Sequence, residues 1–413
     1  MTASPADADG SIRPPPAEEA VRELGAWLVD QTIHGAAIDR LLEGFCERLN
    51  ALGVPLLRGH LSFGWLHPMV GSISITWSRD AGLTRDRHPR GEVTEEWLAS
   101  PPKALMDSGG DFARYRLEEG EGVERFEHLA DLEAQGASDY VLTLTAFRDR
   151  KAALETRDGL IASWSCDAPG GFTDAEIAVL KRLMPRLALG VKAAVREEAA
   201  RNVLSAYLGA SAGQRVLDGK IRLGDGDEIS AVLWFSDMRG STALADAMAP
   251  SDFLALLNRY FDCTAGAVLD HGGEVLRFVG DAVLAIFPTD GPGGGERAGR
   301  LAMAAAEEAF ARARRLNEAR EPDAPEIAFG LALHVGDVLY GNIGVPERVE
   351  FSVIGAAANE VARLEQLTKE EGRPVIASDA FHALAPPREG WENLGPRHFR
   401  GVRRPQTVWG RGA

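Results

Sequence analysis

Hydrophobic positions change their period along the first part of the chain. Val21, Leu24, Trp27 and Leu28 recur every three or four residues, and a second set runs from 38 to 49, which predicts two amphipathic helices. Apolar and polar residues then alternate in VGSISITW (70–77), in DYVLTLTAF (139–147) and in GLIASWSC (159–166), which predicts three strands. We therefore expect an α+β domain over residues 19–172, preceded by a short disordered lead at 1–18.

A long helix follows this domain. Thr173 and Glu176 form a capping-box pattern, and the apolar residues between 177 and 194 alternate in steps of three and four. Such a seam pairs with its copy in a second subunit or packs on its own domain, and both alternatives are open from the sequence. Pro185 lies inside the helix and is expected to kink it. Residues 173–228 are thus interpreted as an exit helix and a Gly- and Asp-rich linker.

The remaining chain reads as strand, helix, hairpin, helix, strand, hairpin and helix. In LWFSDMRGST (233–242) an apolar strand ends in Asp237, and a turn of small residues follows. Either Ser241 or Thr242 caps the next helix, or the backbone N–H groups of Met238, Arg239, Gly240, Ser241 and Thr242 face a phosphate. In GGEVLRFVGDAVLAIF (272–287), two strand-like runs flank Gly280-Asp281, which predicts a tight hairpin with Asp281 at its tip.

These two carboxylates need a reason to coexist. Asp237 and Asp281 both emerge from apolar surroundings at neighbouring strand ends, where two like charges repel each other. A pair of Mg²⁺ ions would remove the repulsion, because Mg²⁺ takes few protein carboxylates and completes its shell with nucleotide phosphates and water.

Composition excludes several classes of protein. The 413 residues carry a formal net charge of −16, which argues against a nucleic-acid binder. No run of 18 apolar residues predicts a membrane span, and the N-terminus lacks the features of a secretory signal. The three cysteines are scattered, as is typical of reduced thiols. We therefore expect a cytoplasmic protein without membrane or nucleic-acid partners.

Four segments together resemble one family. FSDMRGST (235–242), GGEVLRFVGDAVLAIF (272–287), GNIG (341–344) and VIGAAANEVARLE (353–365) resemble the catalytic domain of class III nucleotidyl cyclases, the adenylate and guanylate cyclases. The spacing of 44 positions between Asp237 and Asp281 agrees with the family. The resemblance covers residues 229–413 and implies a ferredoxin-like, palm-type domain, an antiparallel-rich sheet with flanking helices. Residues 19–172 weakly resemble a GAF-type sensor with an unspecified ligand.

The resemblance also implies roles for individual residues. Asp237 and Asp281 would hold two Mg²⁺ or Mn²⁺ ions. Asn359 would orient the ribose, Arg363 would stabilise the transition state at the α-phosphate, and Arg400 would bind phosphate where the family usually has lysine. In this family the metal-binding acids and the Asn/Arg helix come from different catalytic domains, which implies a homodimer that the seam at 177–194 would reinforce.

The base-reading positions differ from the adenylate cyclase pattern. They are occupied by Arg277 and Ser352, where that pattern has lysine and an aspartate or threonine. Adenine offers an acceptor at N1 and a donor at N6, which suits arginine with serine, so ATP is favoured. GTP, a pyrimidine nucleotide, an inactive nucleotide-binding module and a diguanylate cyclase are the alternatives. His60 and His67 are candidate metal or haem ligands, although packed or surface histidines are commoner.

Overall fold

The described residues form two compact units. The computed structural model describes residues 13–67, 69–147, 158–291, 293–384, 389–399 and 405–412. Its two units are Met1–Val203 and Leu204–Ala413. None of the helices in these ranges is long and apolar enough to cross a membrane. Cys46, Cys166 and Cys263 are all buried and free of disulfides.

The first unit is built on a six-stranded antiparallel sheet. The strands lie in the order β3-β2-β1-β6-β5-β4. In chain order the elements are α1 (Glu18–Ile33), α2 (Ile38–Ala51), β1 (Leu56–Gly64), β2 (Val70–Ser78), β3 (Gly82–Pro89), α3 (Glu95–Leu98), α4 (Pro101–Asp107), β4 (Phe112–Arg116), α5 (Glu127–Ala134), β5 (Asp139–Ala146), β6 (Gly159–Cys166) and α6 (Asp174–Leu208). The predicted helices and strands are confirmed here. The comparison with GAF domains stays a prediction. Residues 1–12 of the expected disordered lead lie outside the described ranges. Arg13, the first described residue, donates a hydrogen bond to Glu176 (3.0 Å).

Helix α6 begins with the predicted capping box and continues through Pro185. The Thr173 N–H donates to Glu176 Oε2 (2.7 Å), and the Glu176 N–H donates to Thr173 Oγ1 (3.2 Å). The apolar seam is not available to a second subunit, so its predicted role in dimerisation is wrong. Its residues are buried in the core that α1, α2 and the sheet form, namely Ile177, Leu180, Met184, Leu187 and Val191, with Ala194 packed at the edge. Burial of this face against the unit's own core satisfies the same heptad pattern.

The second unit contains an eight-stranded sheet with helices on both faces. Its elements are α7 (Ala210–Leu217), β7 (Gly226–Met238), α8 (Ser241–Ala247), α9 (Pro250–Asp270), β8 (Glu274–Val279), β9 (Ala282–Pro288), α10 (Gly294–Glu318), β10 (Phe329–Val345), β11 (Arg348–Ile354), α11 (Ala356–Glu370), β12 (Val375–Ser378), α12 (Asp379–Leu384), β13 (Trp391–Arg397) and β14 (Gln406–Arg411). The strand order is β13-β14-β12-β10-β7-β9-β8, and β11 pairs with β10 outside this path. The order β10-β7-β9-β8 from a βαββαβ chain is the ferredoxin-like arrangement, which confirms the predicted fold.

Strand β7 is apolar on both faces because it lies in the middle of this sheet. Val232 and Trp234 belong to the core that contains α9 and α10. Ala231 and Leu233 belong to the core that contains α11. A central strand with both faces covered positions its last residues firmly, and Asp237 is one of them.

Candidate active site

The two predicted metal-binding acids meet at one end of the sheet. Asp237 is the penultimate residue of β7 and pairs with Ala282, the first residue of β9. Asp281 directly precedes Ala282 in the β8–β9 turn, where Gly280 has a φ of +63°. A positive φ at this turn favours glycine, so the Gly-Asp hairpin holds the second acid beside the first.

The electrostatics of this pair fit a cation site. Burial raises the pKa of Asp237, and the neighbouring Asp281 carboxylate raises it further. Asp281 Oδ2 is buried without a hydrogen-bond partner among the described residues. A buried carboxylate oxygen without a donor, next to a second carboxylate, suits a divalent cation. The described residues contain no cluster of three or more His, Cys, Asp or Glu ligands, so the phosphates of a nucleotide and water would have to complete such a shell.

The turn after β7 differs in detail from the prediction. Gly240, with a φ of 71°, is the N-cap of α8, and no side chain caps this helix, so Ser241 and Thr242 are not capping residues. Met238 is buried, and the Arg239 N–H donates to the carbonyl of Ala328 (2.8 Å). The backbone N–H of Arg239 is therefore not free for a phosphate. The prediction of a phosphate-binding turn therefore remains only for the backbone N–H groups of residues 240–242.

Arg239 instead connects the acid pair's strand to α11. Its guanidinium forms an ion pair with the buried Glu365 (3.1 Å) and a hydrogen bond with Thr368. These three side chains cross directly over Gly330 of β10, and a Cβ at that position would collide with all of them. The ion pair between Arg239 and Glu365 could not be predicted from the sequence, because more than 120 positions separate the two residues.

Lys369 is a further residue beside Asp237. Its ammonium lies 3.5 Å from Asp237 Oδ2 and partly offsets the repulsion that raises the pKa of this aspartate. Lys369 lies one helical turn beyond Glu365 on α11. The same end of the helix therefore supplies the partner of Arg239 and the partner of Asp237. No short-range pattern in the sequence indicates that this helix end faces Asp237.

Asn359 lies in the first turn of α11, and Arg363 lies at the middle of this helix. Asn359 is exposed and Arg363 is half-buried, and neither forms a side-chain hydrogen bond within the described part of the chain. Asn359 precedes Lys369 by ten residues, which is roughly 15 Å along a helix axis. Asn359 of one chain is therefore not brought together with the acid pair of the same chain.

The two base-reading candidates share a neighbourhood with a third residue. Arg277 on β8 forms an ion pair with Glu350 on β11. Ser352, two residues further on β11, is buried and projects from the same face of the strand as Glu350. No pattern in the sequence indicates Glu350 as a neighbour of Arg277. Arg400, the predicted phosphate ligand, lies outside the described residues.

Fold and site together define a class. A ferredoxin-like sheet that carries two converging carboxylates, one at the end of its first strand and one in the following hairpin, is the arrangement that the resemblance to class III nucleotidyl cyclases implies. Residues 226–409 match the family model for the adenylate and guanylate cyclase catalytic domain. The resemblance seen in the sequence is thereby confirmed.

Curated relatives and solved structures show similarity over part of the chain. An uncharacterized protein of Mycobacterium tuberculosis is 30% identical over 239 residues, which are 57% of this chain and 40% of that protein. An adenylate cyclase of Anabaena cylindrica is 30% identical over 160 residues, 39% of this chain and 32% of that protein. The structure of a bacterial light-regulated adenylyl cyclase has a TM-score of 0.45 at 22% identity and covers 58% of this chain and 65% of that one. The chain spans less than half the length of these two curated relatives.

Proposed function

We propose that this protein is an adenylate cyclase that converts ATP into 3′,5′-cyclic AMP and pyrophosphate. The observation that carries the proposal is the convergence of Asp237 and Asp281. Burial and the second carboxylate raise the pKa of Asp237, and Asp281 Oδ2 is buried without a hydrogen-bond partner in the described part of the chain. The name of the Anabaena cylindrica relative supports an adenylate cyclase over 39% of the chain. In the reaction the ribose 3′-oxygen bonds to the α-phosphorus, and the bond between that phosphorus and the pyrophosphate oxygen breaks.

Two Mg²⁺ or Mn²⁺ ions held by Asp237 and Asp281 would supply the charge that activates the 3′-hydroxyl and neutralises the leaving pyrophosphate. The remaining contributions come from the chain itself. The N–H groups of residues 240–242 bind phosphate oxygens, and Asn359 orients the ribose. Arg363 places its guanidinium where negative charge develops, an effect typically worth about 2.7–4 kcal/mol for a preorganised donor. Arg400 binds the triphosphate.

The active form in this proposal is a homodimer with two equivalent sites. Each site takes Asp237 and Asp281 from one subunit and Asn359 and Arg363 from the other. Support comes from the separation of these two groups within one chain, roughly 15 Å along α11 between Asn359 and the lysine that contacts Asp237. The N-terminal unit would regulate this dimer. A cytoplasmic location is part of the proposal and is supported by the three free cysteines.

Arg277 and Ser352 would read adenine, with Arg277 donating to N1 and the serine hydroxyl accepting from N6. GTP is a second candidate substrate, and one observation favours it. The carboxylate of Glu350 is an acceptor beside both residues, and guanine requires an acceptor for its N1–H.

The test is to incubate the purified full chain with Mg²⁺ or Mn²⁺ and each nucleoside triphosphate in turn, and to identify products by mass spectrometry. We expect cyclic AMP from ATP, and no product from a folded Asp281→Ala variant. Cyclic GMP from GTP as the main product would support the second candidate. Nucleotide binding without any product would support an inactive module, and undiminished turnover by Asp281→Ala would remove the metal assignment.

A further inference from the structure

The six-stranded sheet of the first unit borders a cavity of about 730 Å³. Its size falls within the range of small-molecule sites, which is roughly 300–1,000 Å³. The cavity lies on one face of the sheet, whereas α1, α2 and α6 cover the other face with the apolar core. The elements that line it besides the sheet are α3, α4 and α5.

The alternation of the strands places polar side chains toward this cavity. On β1, Arg58, His60 and Ser62 line the cavity, while Leu61 between them is buried in the apolar core. The strand register sets His60 opposite Thr76 of β2 and Ser163 of β6. His60 Nδ1 and Thr76 Oγ1 are 2.8 Å apart, and further along, Ser74 Oγ lies 3.0 Å from His88 Nε2.

A polar sheet face normally faces solvent, but this one is covered. Ser74 is 6% exposed and Ser163 is 2% exposed. A buried polar surface is unfavourable unless its groups find hydrogen-bond partners. The cavity therefore has the composition expected of a ligand site rather than of an internal packing defect.

Arg58 is the group that most needs a ligand. Its guanidinium has five N–H donors, yet its side-chain contacts in the described part of the chain are two long ones, at 3.4 Å to His60 Nδ1 and 3.4 Å to Thr76 Oγ1. No described carboxylate forms an ion pair with it. Acidic residues that line the cavity are exposed, namely Glu92, Glu96, Asp111, Glu127 and Asp131.

Arg58 also acts on the histidines around it. Burial lowers the pKa of Arg58, and burial, Arg58 and two further histidines lower the pKa of His60 well below its ordinary range. His128 has a lowered pKa from burial and from Arg58, although Asp131 opposes the shift. An anion bound next to Arg58 would compensate the positive charge that lowers the pKa of these histidines.

Apolar side chains form the rest of the wall. Trp97 and Met106 come from the covering helices, and Leu144 and Ile161 come from the sheet. Because Arg58 is the one cavity-lining group among those described that is certain to be cationic at neutral pH, the site matches a single negative charge. The apolar wall matches an organic body attached to that charge.

We propose that this cavity binds a small organic monocarboxylate, with the carboxylate on the Arg58 guanidinium and the apolar body against Trp97, Met106 and Leu144. Ser74 and Ser163 orient the bound group from the sheet. The binding is independent of the reaction at the second unit, so it can be tested without a cyclase assay.

The test uses calorimetric titration and thermal unfolding of the full chain at pH 7. The probes are 4-phenylbutanoate, its neutral analogue 4-phenylbutanamide, and inorganic phosphate. We expect one molecule of 4-phenylbutanoate to bind per chain and to raise the unfolding temperature. The amide should bind about tenfold more weakly or worse, since a hydrogen bond to a charged group is worth about 1.5–3 kcal/mol. Phosphate alone should not bind.

Two variants locate the effect. Arg58→Gln should lose about tenfold or more in affinity for 4-phenylbutanoate and keep its affinity for the amide, and Arg58→Lys should be intermediate. The matched control is Arg87→Gln, because Arg87 is an exposed arginine on β3 whose register partner Ile73 lies in the apolar core. This control should bind like the original protein.

Equal affinity for the acid and the amide would overturn the proposal, as would unchanged binding in Arg58→Gln or no binding of 4-phenylbutanoate to the folded protein. Phosphate binding as tight as that of the carboxylate would reduce the site to an inorganic anion site and would equally overturn it. If Arg58→Gln does not fold, the comparison of acid and amide in the unmodified chain still decides.

Discussion

Asp237 and Asp281 lie 44 positions apart in the chain, yet the pairing of β7 with β9 sets them side by side at one sheet end. Burial and the second carboxylate raise the pKa of Asp237, and Lys369 offsets only part of this effect. Because these two carboxylates repel each other, the cation-free site lowers the stability of the folded protein, and this loss of stability can be measured.

We expect Asp281→Asn to stabilise the metal-free protein at neutral pH. Folding raises the pKa of Asp237, so the folded protein loses stability as the pH rises through that pKa and Asp237 ionises. Removing the Asp281 charge reduces this loss of stability. Relief of 1 kcal/mol corresponds to roughly 2–4 °C in a unit of this size. Thermal unfolding between pH 5 and 8 measures the effect, with the exposed Asp323→Asn as control.

The same variant should lose stabilisation by Mg²⁺ and all cyclase activity. The unmodified protein should unfold at a higher temperature as Mg²⁺ and a non-hydrolysable nucleotide are added, and Asp281→Asn should not. Equal stabilisation of both proteins by Mg²⁺ would contradict the assignment of this pair as metal ligands.

Mixing two inactive variants should restore activity if each site uses both subunits. Asp281→Ala removes one of the proposed metal-binding acids, and Arg363→Ala removes the arginine at the middle of α11. Random exchange of subunits in a symmetric dimer leaves one intact site in each mixed dimer, so about one quarter of the original rate should return. Absence of recovery in a mixture shown to contain mixed dimers would contradict the shared site.

Glu350→Gln should weaken the use of ATP only moderately. The Arg277–Glu350 pair is partly exposed, with 35% and 52% of the two side chains accessible, and such pairs contribute about 1 kcal/mol or less. We expect kcat/KM for ATP to fall up to about fivefold through KM, because Arg277 loses its orienting partner. Glu347→Gln, in the adjoining exposed turn, is the control. A much larger loss with GTP than with ATP would indicate that Glu350 reads guanine.

The first unit should lose stability as the pH falls below about 6.5. Burial first, then Arg58, His128 and His88, keep the pKa of His60 well below its ordinary value in the folded state. The unfolded chain therefore takes up a proton that the folded chain does not, and the stability present above the unfolded pKa is lost on acidification. His60→Gln should flatten this dependence in thermal unfolding at pH 5 to 7, whereas the exposed His34→Gln should not. An equally steep dependence in His60→Gln would show that another group titrates.

Local patterns in the sequence determined much of this protein. The alternation in β2, β5 and β6, the capping box at the start of α6 and the Gly280-Asp281 hairpin are all readable within a few residues, because backbone geometry repeats over that range. The four cyclase segments also identified the catalytic domain, since their order and spacing are properties of the chain alone.

Only the tertiary structure decided which surfaces meet. The seam of α6 satisfies its heptad pattern within its own core, and a period of 3.5 residues carries no information about which partner covers it. Lys369 reaches Asp237, Arg239 reaches Glu365, and Arg277 reaches Glu350 across separations of 73 to 132 positions. Likewise, β1 directs Arg58 and His60 to the face opposite Leu61, but whether that face meets solvent or a covered cavity depends on where α3, α4 and α5 pack. Periodicity encodes the direction of a side chain, and the packing of distant elements supplies what lies in that direction.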